Sequence, residues 1–154
     1  MANLEPLIQS IPVAPLKLAS LEGCRTLADQ VNNYLVSFRH ESPTNVGQAD
    51  SLQGYCADSY LLECECPRFG SGEGKGVLKE SVRGCDLFIM VDVTNYSLTY
   101  RVNGYENHMS PDNHYQDLKR IIAAATGKAH RINVVMPFLY EGRQHKRSKR
   151  ESLD

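Results

Sequence analysis

Apolar and polar positions along this chain change period several times, and each change marks an element. Residues 1–15 carry Pro6, Pro12 and Pro15 and read as an extended arm; residues 16–19 are a short apolar run and predict a strand. Ser20 stands where it could cap a helix, and Leu27, Val31, Tyr34 and Leu35 recur at helical spacing, with an end expected near Phe38. Residues 39–58 are polar, with two glycines and a proline, and predict a long loop or insertion. Residues 60–66 alternate. Tyr60, Leu62, Cys64 and Cys66 fall on one face, with Leu61, Glu63 and Glu65 on the other, which predicts one half-buried strand ended by Pro67.

A glycine-rich turn follows at 69–75, then a returning strand over 76–80 and a turn at 81–84. Residues 87–91 are apolar without alternation, the pattern of a central strand covered on both faces. Residues 96–105 alternate and contain Asn103-Gly104, a hairpin signal. Ser110-Pro111-Asp112 is a helix start, with serine as cap and proline in the first turn. Tyr115, Leu118, Ile121, Ile122 and Ala125 form the apolar stripe of that helix, and Gly127 ends it. A last strand is expected over 132–136. Strand, helix and strand in succession predict a right-handed crossover in a mostly parallel sheet, hence an α/β fold.

Composition narrows the class. The 154 residues carry 17 Lys and Arg against 18 Asp and Glu, so the chain as a whole has no charge bias toward nucleic acid. Charge is instead segregated: Arg143, Lys146, Arg147, Lys149 and Arg150 crowd the end of the chain, after the last strand. No apolar run approaches a membrane span and no signal peptide is apparent. Five cysteines (24, 56, 64, 66 and 85) without a C-x-x-C pair read as reduced thiols in the cytoplasm.

Candidate chemistry concentrates in few places. Arg143 and Gln144 can hydrogen-bond a polyphosphate or a base, and the neighbouring cations supply charge; the competing reading is a solvated tail or an RNA-binding patch. The 69–75 turn lacks the spacing of a phosphate loop and of a dinucleotide fingerprint, so it reads first as a hairpin turn, although Phe69 could stack on a purine and Glu73 accept from its amine. Cys64 and Cys66 lack the second ligand pair of a zinc site, and no metal site is assigned. Asp92, at the carboxyl end of the central strand, is a ligand contact or a turn residue.

Several of these segments, in order, resemble the N-terminal domain of ribose-phosphate pyrophosphokinase. Residues 66–73 (CPRFGSGE) are similar to the family's R-F-x-D-x-E loop, and residues 80–89 (ESVRGCDLFI) to its E-S-V-R-G-x-D segment. Pro111-Asp112-Asn113 before a helix resembles its N-D-N, and residues 137–145 (PFLYEGRQH) resemble P-Y-x-x-Y-A-R-Q-D. The resemblance covers residues 16 to 154 and implies a three-layer, phosphoribosyltransferase-like domain, with residues 39–58 and 96–105 as insertions. It implies an enzyme family that moves diphosphate from ATP to ribose 5-phosphate with Mg2+, as a homo-oligomer.

By motif position, Arg143, Gln144 and His145 fall at the ATP site. Phe69 and Glu73 reach the adenine bound by a neighbouring subunit. Ser81 and Arg83 fall at a regulatory phosphate site, with Arg150 taken alongside them. The family's loop aspartate is Ser71 here, and the aspartate after R-Q is His145. The family's metal-binding D-x-H, its catalytic loop and its ribose-phosphate loop lie downstream of the matched motifs. The expectation is therefore the front part of a longer protein, without a second domain, inactive alone. A non-catalytic regulatory homologue is the first alternative; a basic-loop nucleic-acid binder ranks below it.

Overall fold

The computed structural model describes residues 12–41, 54–143 and 145–150. The arm before residue 12 and most of the 39–58 segment lie outside them. Four parallel strands form the central sheet in the order β2-β1-β5-β8. They are β1 (Leu16–Ser20), β2 (Leu61–Leu62), β5 (Asp86–Met90) and β8 (Arg131–Val135). Helix α1 (Arg25–Glu41) connects β1 to β2, and α2 (Pro111–Ala125) connects β5 to β8. The chain runs outward from β1 in one direction and from β5 in the other, so right-handed crossovers put the two helices on opposite faces. The core follows suit. Leu87, Ile89 and Val91 pack with Leu118, Ile121 and Ala125 of α2, while Met90 packs with Cys24 and Ala28 on the α1 side. That is the three-layer α/β architecture, and it explains the unbroken apolar run of the central strand.

Helix α2 matches its sequence signals closely. Ser110 accepts from the Asn113 N–H, Pro111 occupies the first turn and Gly127 follows the end at φ +74°. The start of α1 differs. Ser20 is the last residue of β1 and donates to the Leu21 carbonyl; a single 3-10 turn, Glu22–Cys24, leads into the helix with no side-chain cap. The helix also runs on to Glu41, past Phe38. Arg39 fixes this extra turn, with its guanidinium between the rings of Tyr55 and Tyr60 at 4.4 and 4.8 Å. Buried Asn32 accepts the Tyr60 N–H at 2.8 Å, tying α1 to the approach to β2.

The single strand expected over 60–66 is two. Leu61–Leu62 pairs with β1, and then the chain peels away: Cys64–Glu65 (β3) pairs antiparallel with Val77–Leu78 (β4). Of the returning strand expected over 76–80, only β4 forms. A second ribbon, β6 (Thr99–Val102) and β7 (Tyr105–His108), turns at Asn103-Gly104, both at positive φ, as that dipeptide predicts. No helix among the described residues is long and apolar enough to cross a membrane.

Candidate functional site

The loop that follows β8 emerges at the carboxyl end of the sheet, as the sequence placed it. Val91 N–H donates to Val135 O at 3.1 Å, so β5 and β8 end together. Tyr140 then anchors the loop. Its ring meets Tyr115 edge-on at 5.4 Å between centroids, and its hydroxyl donates to Asp112 in the first turn of α2. That hydrogen bond, with burial and the nearby carboxylates, pushes the Tyr140 pKa up to about 12. Glu141 follows at φ +62°, and beyond it Arg143, His145, Lys146, Arg147, Lys149 and Arg150 are all exposed. Gln144 lies outside the described residues. The arrangement is a stem anchored to the start of a helix and leading into a run of solvent-facing cations.

The glycine-rich turn is a closed loop on a buried ionic base. Phe69 N–H donates to Glu73 O at 2.8 Å, Gly72 N–H to Phe69 O at 2.9 Å, and Arg68 bridges Gly74. The Arg68 guanidinium forks onto Asp117 of α2 at 2.6 and 2.9 Å, and Arg120 adds a third bond to Asp117 at 2.6 Å. Arg68 and Asp117 side chains are only 6% and 5% exposed. Burial works to lower the Arg68 pKa, but the hydrogen bonds and charge of Asp117 prevail and raise it. The glycines have a packing reason: a Cβ at Gly74 would lie 2.5 Å from Arg120 Nη1, and one at Gly76 would lie 2.6 Å from the Arg120 carbonyl carbon. At the tip, Phe69 is 56% exposed and Glu73 is open to solvent. Ser71 donates to Glu73 at 3.0 Å. Where the family carries aspartate, a second carboxylate would repel Glu73; the serine holds it instead.

Ser81 and Arg83 occupy the other end of the sheet. Ser81 Oγ accepts the Arg83 N–H at 3.3 Å, and Gly84, at φ +70°, donates to Lys128 in the turn between α2 and β8. The length of β5 thus separates them from the start of the cationic loop by about 20 Å. Among the described residues no hydrogen bond joins Arg150 to Ser81 or Arg83, and none joins Phe69 or Glu73 to Arg143. One chain holds three separate groups.

Sequence reasoning missed the cluster beside Ser81. Asp86 takes a forked pair of bonds from Arg131 at 2.9 and 2.5 Å and a third from Asn133 at 2.8 Å. It also missed a small cavity between the turn that follows β1, the Cys64–Arg68 segment and α2. The hairpin segment lines it with Leu98, Tyr100 and Met109, leaving about 100 Å³ beside Arg68, His114 and Asp117. A larger cleft of about 510 Å³ lies next to β2, lined by Arg25, Asp29, Glu63 and Lys79 among others. Asp92 is a turn residue, accepting both the N–H and the hydroxyl of Thr94 at 2.8 and 2.6 Å.

Cys64 and Cys66 face the core side, as alternation predicts, with thiols directed at the Ser20 and Asp117 carbonyls. Burial pushes the Cys64 pKa to about 11 and the Cys66 pKa to about 12. The chain does contain one D-x-H spelling, Asp112-Asn113-His114, within α2. His114 is 2% exposed with Nε2 2.7 Å from Asn95 O, and Asp112 receives Tyr140. Among the described residues no group of three or more His, Cys, Asp or Glu could hold a metal ion, so the Mg2+ implied by the family has no fitted ligand set here.

The three-layer sheet with exposed loops at both strand ends defines a phosphoribosyltransferase-like N-terminal α/β domain. Comparison with protein families is specific on the point: residues 16–154 match the N-terminal domain of ribose phosphate pyrophosphokinase, and the chain belongs to that family. Membership links it to nucleotide biosynthesis. A search of curated proteins gave no match.

Proposed function

We propose that this chain is the nucleotide-side domain of a ribose-phosphate diphosphokinase, which transfers diphosphate from ATP to ribose 5-phosphate. Arg143, Gln144 and His145 bind ATP, and the cations through Arg150 offset its phosphate charge. Phe69 and Glu73, on their closed loop, contact the adenine held by a neighbouring copy, so assembly completes the site. Ser81 and Arg83 serve a regulatory phosphate, with Arg150 supplied from another copy. Mg2+ arrives with the nucleotide. The observation that carries the reading is the match over residues 16–154 together with a cationic loop anchored at the carboxyl end of β8. A cytoplasmic setting accords with five free cysteines.

Titration of the chain with ATP tests it. Binding that Arg143→Ala weakens by about tenfold, the cost of losing a charge-assisted bond, is the expected result. The chain alone should make no phosphoribosyl pyrophosphate; turnover above background would overturn that part. Ser71 and His145 favour a second reading, a regulatory homologue without catalysis, which calls for weak ATP binding with normal assembly. A nucleic-acid binder would show affinity that ignores base identity and collapses with salt.

A further inference from the structure

We propose that the β6–β7 hairpin is a brace, and that its Tyr100 is a positioning residue that holds the 69–73 loop in the shape needed to meet a purine. The proposal rests on the nucleotide reading above. Arg68 links the hairpin to the loop. Its guanidinium edge is taken by Asp117, and one face lies over the Tyr100 ring, 5.0 Å from Cζ to centroid. Its backbone closes the loop opposite Gly74, so fixing Arg68 fixes the loop stem.

The hairpin turn also lies close to the loop: a Cβ placed on Gly70 would sit 3.7 Å from Asn103 Oδ1. The brace is itself held at its foot. Met109 N–H donates to Leu98 O at 2.8 Å, Asn95 Nδ2 to Gly23 O at 3.3 Å, and buried His114 meets Asn95 O. A path of packed groups thus runs from the end of β5 through the hairpin to the exposed Phe69 and Glu73. Among the described residues no hydrogen bond, ion pair or ring contact joins either tip residue to the hairpin, so their placement depends on the stem.

The test uses the full 154-residue chain and two readouts. Amide hydrogen exchange over 69–75 should quicken by about five- to tenfold in Tyr100→Leu, the scale of one cation–aromatic contact, and return to the wild-type rate in Tyr100→Phe. In the self-associated form, Tyr100→Leu should weaken ATP binding by a similar factor and leave inorganic tripolyphosphate binding unchanged. Asn103→Gly keeps the turn and removes only the side chain beside Gly70, so it should move both readouts the same way by less, and it stands in if Tyr100→Leu does not fold. Unchanged exchange in Tyr100→Leu, or an equal loss for ATP and tripolyphosphate, overturns the brace. If the wild type binds no ATP, the nucleotide reading fails, and the exchange comparison alone decides the brace.

Discussion

Tyr140 donates its hydroxyl proton to Asp112, joining the loop after the last strand to the first turn of the helix before it. The bond spans 28 residues of sequence and sets where the cationic loop begins. Because the bond needs the protonated phenol, its contribution is whole below the ordinary tyrosine pKa of 10.0 and fades as pH rises through about 12. A tyrosinate absorbance titration should therefore show a late-ionising group that is absent in Tyr140→Phe. The same variant should quicken amide exchange over 137–142. A titration unchanged by Tyr140→Phe would remove the anchor.

Asp117 offers a sharper stability test. It is 3% exposed and holds two guanidinium groups, so Asp117→Ala leaves Arg68 buried without its partner. Removing one side of such a pair costs about 3–5 kcal/mol. The urea midpoint should fall accordingly, with the 69–75 loop exchanging first. A midpoint shift near zero would mean that Arg68 escapes to solvent and that the loop has no ionic base.

Local signals were legible where one residue decides the geometry. Ser110, Pro111 and Asn103-Gly104 predicted a helix start and a two-residue turn because caps and positive φ are set by immediate neighbours. The 60–66 segment misled for a related reason. Alternation survives unchanged when a strand leaves one partner for another, so the period cannot show that β2 ends at Leu62 and that β3 starts a new ribbon. Ser20 misled because the last residue of a strand and a helix cap are both extended. The ionic pairs Arg68–Asp117 and Asp86–Arg131 join residues 49 and 45 apart, a separation that no local pattern encodes. Of the candidate site, the positions of the cationic loop and the glycine loop were readable, but not their supports.

Gly76 illustrates a support hidden in composition. Its Cα faces the backbone of Arg120, and a methyl there has no flexible neighbour to displace. Gly76→Ala must push β4 away from α2, at about 1–3 kcal/mol for overpacking. Gly72→Ala, at φ +91° with open space around it, should cost through backbone strain instead and leave the α2 contact intact. Thermal melts of the two variants, combined with exchange at residues 120–121, separate the mechanisms: only Gly76→Ala should loosen those amides.

Asp86 should resist protonation longer than an ordinary aspartate, and lose its contribution to stability in acid. Hydrogen bonds from Arg131 do most to lower its pKa below the ordinary aspartate value; burial opposes them, and Asn133 adds to the lowering. A carboxylate whose folded pKa lies below its unfolded one adds stability above the unfolded value and loses it as pH falls through the folded value. Wild type should therefore lose more stability than Asp86→Asn between about pH 5 and the acid limit, and the two curves should converge there. Denaturant midpoints measured across that range test the sign directly. Curves that stay parallel would mean that Arg131 contributes no charge interaction. The amino ends of β5 and β8 would then be held by strand pairing alone, and Ser81 and Arg83 would sit on a looser frame.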